Sequence, residues 1–227
     1  LSGGTFASII SMFDRIQKDP SLRRLLGNPY ALNPDLKYKG KDGSDQVGFR
    51  FDTDLQKWTA PFIMAGVNTR VVRRSHALLD FPYGHEFKYS EVMGFPKGAK
   101  GFYRASSITF GIGTFLGLIL NSWMRKKIHQ NFLPQPGDGP TKEERDRGYF
   151  NIYFLALDGE DKLWTRVSDT VDPGYASTAK MLAETAVSLA LDLEILPKRY
   201  GVLTPATGIG NRLIERLQDV NLKFIVV

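Results

Sequence analysis

The chain has 227 residues, of which 42% are hydrophobic and 24% are charged, a composition typical of folded globular proteins and not of disordered or low-complexity chains. Cysteine is absent, which excludes a disulfide framework, a thiolate nucleophile and any cysteine-ligated zinc or iron–sulfur site. Thirty basic and 24 acidic residues give a net charge of +6, a mild excess that suits an anionic membrane surface or a phosphorylated ligand.

The N-terminal quarter of the chain is predicted to form two helices and a strand. Apolar residues at positions 6, 9, 10, 13 and 16 fall on one face of a helix. Asp19-Pro20 introduces a short second helix, which ends at Asn28-Pro29. Between residues 47 and 52 apolar and polar side chains alternate, which is the pattern of a strand with one buried face.

A longer helix is predicted to begin at residues 59–61 and to run to Leu79, followed by a strand over residues 88–93. Arg70, Arg73 and Arg74 share one face of this helix, because residues three and four positions apart are neighbours on a helix surface. Guanidinium groups bind phosphate or carboxylate through paired hydrogen bonds, so these arginines are candidates for an anion-binding site. A solvated face without a ligand is the alternative.

Residues 105–124 contain no charged side chain, and as a helix this segment would be about 30 Å long. Its apolar core, residues 108–120, is shorter than the roughly 20 apolar residues of a spanning helix. An interfacial tryptophan and a basic cluster follow, as in helices that lie on lipid surfaces. A buried core helix, a lipid-inserted helix and a spanning helix are the alternatives. The residues expected to contact lipid are Ile112, Phe115, Leu116, Ile119, Trp123, Arg125, Lys126 and Lys127.

Several motifs of nucleotide-binding and catalytic sites are incomplete or absent. Gly111, Gly113 and Gly117 approximate a dinucleotide-binding loop, but the last glycine comes one residue too late and no strand leads into the motif. The chain contains no Walker lysine, no G-x-S-x-G and no H-E-x-x-H motif. The three histidines share no metal-ligand spacing, and the dispersed basic residues lack interleaved aromatics, so neither a metal nor a nucleic acid is expected to bind.

One short cluster has side chains suited to general acid–base chemistry. It consists of His85-Glu86 with Tyr83 and Glu91 nearby in the sequence. Tyr83 and Glu91 are the catalytic candidates within it. A surface turn followed by a strand explains the same residues, so the catalytic and the structural interpretations both stay open.

The C-terminal part is predicted to begin with a polar loop, residues 134–148, and a hairpin of two strands, residues 149–157 and 163–167. A helix then follows Asp172-Pro173-Gly174 and runs to about residue 193. This helix is apolar except for one stripe, and we therefore expect it to be largely buried. The stripe consists of Lys180, Glu184, Ser188 and Asp192.

The last predicted elements are a helix and a terminal strand. Thr204-Pro205 has the pattern of an N-cap followed by proline in the first helical position. The helix that it introduces is expected to bury Ile209, Leu213 and Leu217, and residues 223–227 form the strand. Helices and strands alternate irregularly and the hairpin is antiparallel. The sequence therefore predicts a single α+β domain, with a mainly antiparallel or mixed sheet covered by helices.

Six short motifs follow one another along nearly the whole chain. They are Ser2-Gly3-Gly4-Thr5; Trp58-Thr59-Ala60-Pro61-Phe62-Ile63-Met64-Ala65; Asn68 with Arg73-Arg74-Ser75; Tyr89-Ser90-Glu91-Val92-Met93; Asp172-Pro173-Gly174-Tyr175 with Thr178-Ala179-Lys180-Met181; and Gly201-Val202-Leu203-Thr204-Pro205-Ala206. Together these motifs resemble the saccharopine dehydrogenase-like oxidoreductases and their relatives, the trans-acting enoyl reductases.

The resemblance implies an N-terminal Rossmann domain that binds NAD(P), and a second α+β domain like the substrate and dimerisation domains of Rossmann-type dehydrogenases. Residues 1–227 resemble that second domain, and since residue 1 is leucine we expect the chain to be a piece of a longer polypeptide. The family also implies a lipid or acyl-chain substrate and a lipid-droplet surface or the cytoplasmic face of a membrane as the location, with a mitochondrial or other organelle as an alternative. A homodimer is a further expected assembly.

Two functional hypotheses follow. In the first, the chain shapes the substrate pocket of an NAD(P)-dependent reductase that transfers hydride to a C=C or C=N bond, with Thr5 and Asn68 in the pocket and Tyr83 and Glu91 as catalytic candidates. In the second, the chain is a non-enzymatic protein of a lipid-droplet or membrane surface that keeps the dehydrogenase fold, since a fold does not fix a function.

Overall fold

A computed structural model describes residues 3–121, 123–124 and 139–227. The described residues divide into two compact units, an N-terminal unit up to residue 124 and a C-terminal unit from residue 139. Each unit contains a three-stranded antiparallel sheet together with helices, so the predicted α+β class is confirmed. The single domain that we predict for residues 1–227 stays a prediction.

The N-terminal unit has its sheet in the order β1-β2-β3, with β2 in the middle. Both helices predicted at the N-terminus are confirmed, and β1 and β3 overlap the predicted strands. Its elements in chain order are α1 (Gly3–Lys18), α2 (Ser21–Gly27), β1 (Arg50–Asp52), β2 (Lys57–Pro61), α3 (Ala65–Leu78), β3 (Val92–Phe95) and α4 (Ala99–Leu120).

The predicted start of the long helix at residues 59–61 is wrong. These residues end strand β2, where Thr59 and Ala60 pair with Gly94 and Met93 of β3. Thr59 and Ala60 are both fully buried at the centre of the sheet. The pairing on both sides of β2 outweighs the local helix pattern, and the helix begins only at Ala65.

Helix α4 packs its N-terminal turns against the sheet of this unit. The ring of Phe102 lies 5.1 Å from that of Trp58 and 5.4 Å from that of Phe49, in edge-on geometry. Gly101 permits this approach, since a Cβ atom there would overlap the carbonyl oxygen of Pro96. Ala105, one turn further along, is also fully buried.

The C-terminal unit has its sheet in the order β4-β5-β6. Gly159, with φ of 59°, lies in the two-residue turn of the predicted hairpin, which is confirmed. The predicted polar loop contains a short helix capped by Thr141 and Glu144, and residues 134–138 of that loop lie outside the described residues. The elements are α5 (Lys142–Asp146), β4 (Phe150–Asp158), β5 (Asp161–Asp169), α6 (Ala176–Leu191), α7 (Pro205–Gly208), α8 (Asn211–Asp219) and β6 (Lys223–Val226).

The helix predicted after Thr204-Pro205 forms as two helices. Pro205 occupies the first turn of α7 as predicted, and Gly210, with φ of 66°, separates α7 from α8. Ile209 and Leu217 are buried as expected, and Leu213 is half-buried. The terminal strand is confirmed as β6, which pairs with β5.

Helix α6 forms where we predict it, but the prediction that it is largely buried is wrong. Ser188 in the polar stripe is fully buried, whereas Leu182 is 70% and Leu191 74% exposed. Helix α8 brings Arg212 and Arg216 to the stripe, so the carboxylates of the stripe form ion pairs inside the unit. Their presence turns the polar stripe inward and leaves the apolar surface of α6 facing out.

Candidate functional site

Helix α3 and the segment before β3 bring two sequence candidates together. Nδ2 of Asn68 donates a hydrogen bond to Oε2 of Glu91 at 2.9 Å, and Oη of Tyr89 donates to Oε1 of Glu91 at 3.0 Å. All three side chains are half-buried. We call Asn68, Tyr89 and Glu91 the carboxylate cluster. Each Glu91 oxygen has its own donor, so the carboxylate is held in a fixed orientation.

The environment of Tyr89 keeps its hydroxyl protonated. Burial raises the pKa of Tyr89 well above its usual range, the negative charge of Glu91 and its hydrogen bond raise the pKa further, and Arg73 opposes them. The phenol is therefore a hydrogen-bond donor at every physiological pH. The carboxylate cluster contains one carboxylic acid group, Glu91, and both of its partners donate a hydrogen bond to it.

The main chain of Tyr89 is clamped on both sides. Its N–H donates to Oδ1 of Asp42 at 2.8 Å, and its carbonyl accepts from Nη2 of Arg73 at 3.0 Å. Arg73 and Asp42 in turn form an ion pair, with Nε 3.0 Å from Oδ2, and their side chains are 3% and 4% exposed. This buried pair fixes the position of the strand end that carries Glu91.

Tyr30 completes the support beneath the carboxylate cluster. Its Oη donates to Oδ2 of Asp42 at 2.8 Å, and the Arg73 guanidinium lies 5.6 Å from the centre of its ring. Burial raises the pKa of Tyr30 to about 12, with Asp42 contributing. Sequence patterns did not single out Tyr30 or Asp42, because both lie in an irregular segment without a motif. Tyr89 could have been found from the sequence, because it lies two residues before Glu91 and residues two apart in an extended strand share a face.

The three arginines predicted as an anion site bind groups of this chain in the structure. Arg70 pairs with Asp45 at 3.1 Å and donates to the carbonyl of Leu26 at 2.7 Å, and Arg74 donates to the carbonyl of Leu32. Arg73 is the buried partner of Asp42. The arginine row therefore ties helix α3 to α2 and to the segment between α2 and β1. Binding of an external anion stays a prediction.

Tyr83 and Glu91 contact different residues in the structure, and Tyr83 packs on His76. Its ring stacks on His76 at 5.5 Å and is 70% exposed. Of the acid–base cluster predicted around it, His85 packs on Phe81 at 4.5 Å, and Glu86 pairs with Lys41 at 3.6 Å on the surface. The side chain of Thr5, the second predicted pocket residue, lies outside the described side chains.

An open cavity of about 690 Å³ borders the Tyr30–Asp42 pair. Its walls come from α2 and the loop after it, and include Leu22, Leu25 and Leu36, with Arg24 and Lys39 among the polar residues. The volume lies in the range of sites that hold small molecules. The cavity and the carboxylate cluster are thus connected through Asp42, which contacts both Tyr30 and Tyr89.

The apolar helix α4 is largely exposed beyond its first turns. Phe110 is 68%, Leu116 37% and Trp123, just after the helix, 65% exposed, while Ile112 and Phe115 are half-buried. The prediction that Ile119 contacts lipid is wrong for this structure, because its side chain is only 1% exposed. By length and composition α4 is able to cross a membrane, a test that core helices also pass. Arg125, Lys126 and Lys127 lie outside the described residues.

The remaining sequence motifs add no cofactor loop within this site. Gly111, Gly113 and Gly117 lie inside helix α4, more than two turns from its start, so they do not form a phosphate-binding turn. Among the residues that the structure describes, no three histidine, aspartate or glutamate side chains come together as a metal site.

Comparison with known proteins connects the chain to one group of enzymes. It is 38% identical over 227 residues to a putative trans-acting enoyl reductase of Mycobacterium tuberculosis, covering 95% of this chain and 54% of that protein. The chain is homologous to the trans-acting enoyl reductases. Those of Mycobacterium ulcerans and Mycobacterium bovis are 34% and 33% identical over 97% and 96% of this chain, and over 55% and 54% of their own lengths.

The chain thus spans about half the length of the curated relatives that it matches. The enoyl reductase part of the resemblance stated from the sequence is confirmed, and the saccharopine dehydrogenase-like part stays a prediction. No protein-family model matches the chain. No solved structure matches it either.

Proposed function

We propose that this chain is the substrate-side part of an NAD(P)-dependent oxidoreductase of the saccharopine dehydrogenase-like type, which reduces the C=C bond of an acyl-chain lipid precursor. The observation that carries the proposal is the 33–38% identity to trans-acting enoyl reductases over nearly the whole chain. The carboxylate cluster, which Asp42 links to a cavity of suitable size, supports it, since an enoyl reductase needs oriented polar groups near an apolar pocket.

In the proposed reaction the role of this chain is to bind and polarise the acyl group. Negative charge develops on the acyl carbonyl oxygen as the β-carbon is reduced, and a fixed N–H donor stabilises such charge. The Asn68 amide has two N–H groups, and Glu91 accepts a hydrogen bond from that amide nitrogen. Glu91 therefore fixes which way Asn68 points, and we assign Asn68 as the donor and Glu91 as its positioning residue.

A reduced nicotinamide supplies hydride when it is bound. The described residues do not offer it a dinucleotide site, because the glycine motif lies within helix α4. We therefore place NAD(P) binding in the N-terminal part of a longer polypeptide and assign to this chain only the binding and orientation of the substrate. This division agrees with a chain that spans about half the length of its relatives.

The test is a titration of the longer polypeptide with NADPH and NADH, with the 227-residue chain as the control. We expect the longer polypeptide to bind one of them, and to oxidise it only when a trans-2-enoyl thioester is added. The chain alone is expected to bind neither. A longer polypeptide that binds the cofactor but leaves every enoyl thioester unreduced would overturn the acyl substrate, and one that binds no cofactor would overturn the whole proposal.

A second candidate function is association with a lipid-droplet or membrane surface, without any chemistry. The observation that favours it is the exposed apolar side of α4, with Phe110, Leu116 and Trp123 in contact with solvent. Apolar side chains of this kind bind lipid by burying their area at the boundary between headgroups and acyl chains. This function and the reductase are compatible, because they use different residues, those of α4 and those of the carboxylate cluster.

Flotation with vesicles that contain phosphatidylserine tests the lipid surface. We expect the wild-type chain to float and Leu116→Asp to remain with the soluble fraction, because a carboxylate on the lipid side opposes insertion. Leu182→Asp, at an exposed leucine of the C-terminal unit, is the matched control and should float. Flotation of Leu116→Asp at the wild-type level would remove α4 as the lipid-binding element.

A further inference from the structure

The outer edge of the C-terminal sheet is a long strand without the usual protection. β4 pairs with β5 on one side, and among the described residues no strand pairs with its other side. Side chains on both of its faces are exposed: Ile152 49%, Phe154 37%, Tyr153 54% and Leu157 50%. Its only charged residue is Asp158, at the end.

Edge strands of soluble proteins are normally protected by lysine, proline or a β-bulge, because their unpaired N–H and C=O groups template pairing with another strand. β4 contains neither lysine nor proline. Its register with β5 is continuous from Phe150 opposite Asp169 to Asp158 opposite Asp161, so no bulge interrupts it. These properties predict that another strand binds along this edge.

The turn determines which backbone groups point outward. Asp158 and Asp161 close a two-residue turn and so form a hydrogen-bonded pair, and pairs of this kind alternate along an antiparallel ladder. The N–H and C=O groups of residues 151, 153, 155 and 157 therefore face away from β5. The other side of β5 shows the same alternation. Trp164 lies opposite Leu155, and its carbonyl points away from β4 and accepts a hydrogen bond from the N–H of Val227.

We propose that two copies of this chain pair antiparallel through β4, Phe150–Asp158, and form one continuous six-stranded sheet across a twofold axis. With the strands fully overlapped, Phe154 lies opposite its own copy on that axis. Asn151 then lies opposite Leu157, and Tyr153 opposite Leu155. Each residue whose backbone N–H and C=O face away from β5 thus lies opposite another such residue, as an antiparallel ladder requires.

The charges at the two ends of β4 favour a second copy as the occupant. Asp158, Glu160 and Asp161 outnumber Lys162 and make the turn end acidic, and Arg147 is exposed just before the other end, next to Asp146. Antiparallel pairing of identical strands places the acidic turn of each copy beside Arg147 of the other. Two complementary charge contacts result from one symmetric arrangement, whereas parallel pairing would place like charges side by side.

Sedimentation equilibrium of the 227-residue chain and of two variants tests the pairing. Phe154→Lys puts two lysines opposite each other on the axis, and Phe154→Glu puts two glutamates there. Each should raise the dimer dissociation constant roughly tenfold or more. An equal mixture of the two variants should recover dimers, because lysine then faces glutamate. Leu182→Lys, with the same change of charge at an exposed site on α6, should dimerise like the wild type.

Amide hydrogen exchange of the wild-type chain gives a readout that needs no variant. The N–H groups of residues 151, 153, 155 and 157 should exchange more slowly as the protein concentration rises, while those of residues 152 and 154, already bonded to β5, should change little. A wild-type chain that stays monomeric, variants that dimerise normally, or a mixture that recovers nothing overturns the pairing. So does protection of the four amides in a longer polypeptide that is itself a monomer, since its own N-terminal part then covers β4.

Discussion

Asn68 and Glu91 are 23 residues apart in the chain, yet the Asn68 amide donates to the Glu91 carboxylate at 2.9 Å. Helix α3 carries the first residue, and the strand end before β3 carries the second. Both are candidates from the sequence, and only the fold shows that they act on each other. The contact converts two isolated polar residues into one oriented group.

If Asn68 polarises the acyl carbonyl, Asn68→Ala should lower the kcat of the longer, cofactor-binding polypeptide by about 10²-fold, because one donor to the developing charge is lost. Glu91→Gln should cause a smaller loss of kcat, since Asn68 remains but is no longer held by a carboxylate. Steady-state kinetics with an enoyl thioester measure both effects. KM for the nicotinamide and the thermal midpoint should stay at wild-type values, which separates this role from a structural one. Unchanged kcat in Glu91→Gln would remove Glu91 from the site.

The buried ion pair between Arg73 and Asp42 predicts a large loss of stability on removal of one partner. Arg73→Met leaves the Asp42 carboxylate buried and uncompensated, and should lower the free energy of unfolding by about 3–5 kcal/mol. Urea denaturation measures it. Arg23→Met, an exposed arginine on α2, is the control and should change stability by less than about 0.5 kcal/mol. The double variant Arg73→Met with Asp42→Asn should recover part of the loss, and an equally stable Arg73→Met would contradict the prediction.

The raised pKa of Tyr30 predicts a loss of stability at alkaline pH. Its pKa is about 12 in the folded chain and about 10 when unfolded, so the unfolded state releases the proton first as pH rises. The stability that Tyr30 contributes is therefore complete below pH ~10 and is lost progressively between ~10 and ~12. Urea denaturation over this range should show a shallower decline for Tyr30→Phe than for the wild type. The variant should also be less stable at neutral pH, because the hydrogen bond to Asp42 is absent.

The lowered pKa of Asp192 predicts a loss of stability of the C-terminal unit at acidic pH. Hydrogen bonds from Arg216 and Arg212 hold its pKa well below the usual range, so the unfolded state takes up the proton first as pH falls. The stabilisation is complete at neutral pH and is lost progressively as pH falls below about 4, the pKa of an unperturbed aspartate, towards the lower pKa of the folded chain. Asp192→Asn should lower the thermal midpoint at neutral pH and flatten its acid dependence. Glu194→Gln, an exposed carboxylate nearby, is the matched control, and identical profiles for the two variants would contradict the prediction.

Local signals were enough for much of the fold. The apolar periodicity of α1, the proline start of α7 and the Gly159 turn each depend on residues close together in the chain, so the sequence by itself determined these elements and the α+β class. The family resemblance rests on ordered motifs and was also available from the residues alone. The enoyl reductase relatives confirm that part.

Tertiary structure decided what depends on partners distant in sequence. Residues 59–61 became a strand because β3 pairs with all three of them and β1 pairs with Thr59. The polar stripe of α6 turned inward because α8 brought Arg212 and Arg216 to it. The arginine row of α3 likewise has internal partners that its own spacing does not show, among them Asp42 and Asp45. A pattern along one element shows which side chains share a face, whereas the partners of that face come from other elements and are fixed only when the chain folds.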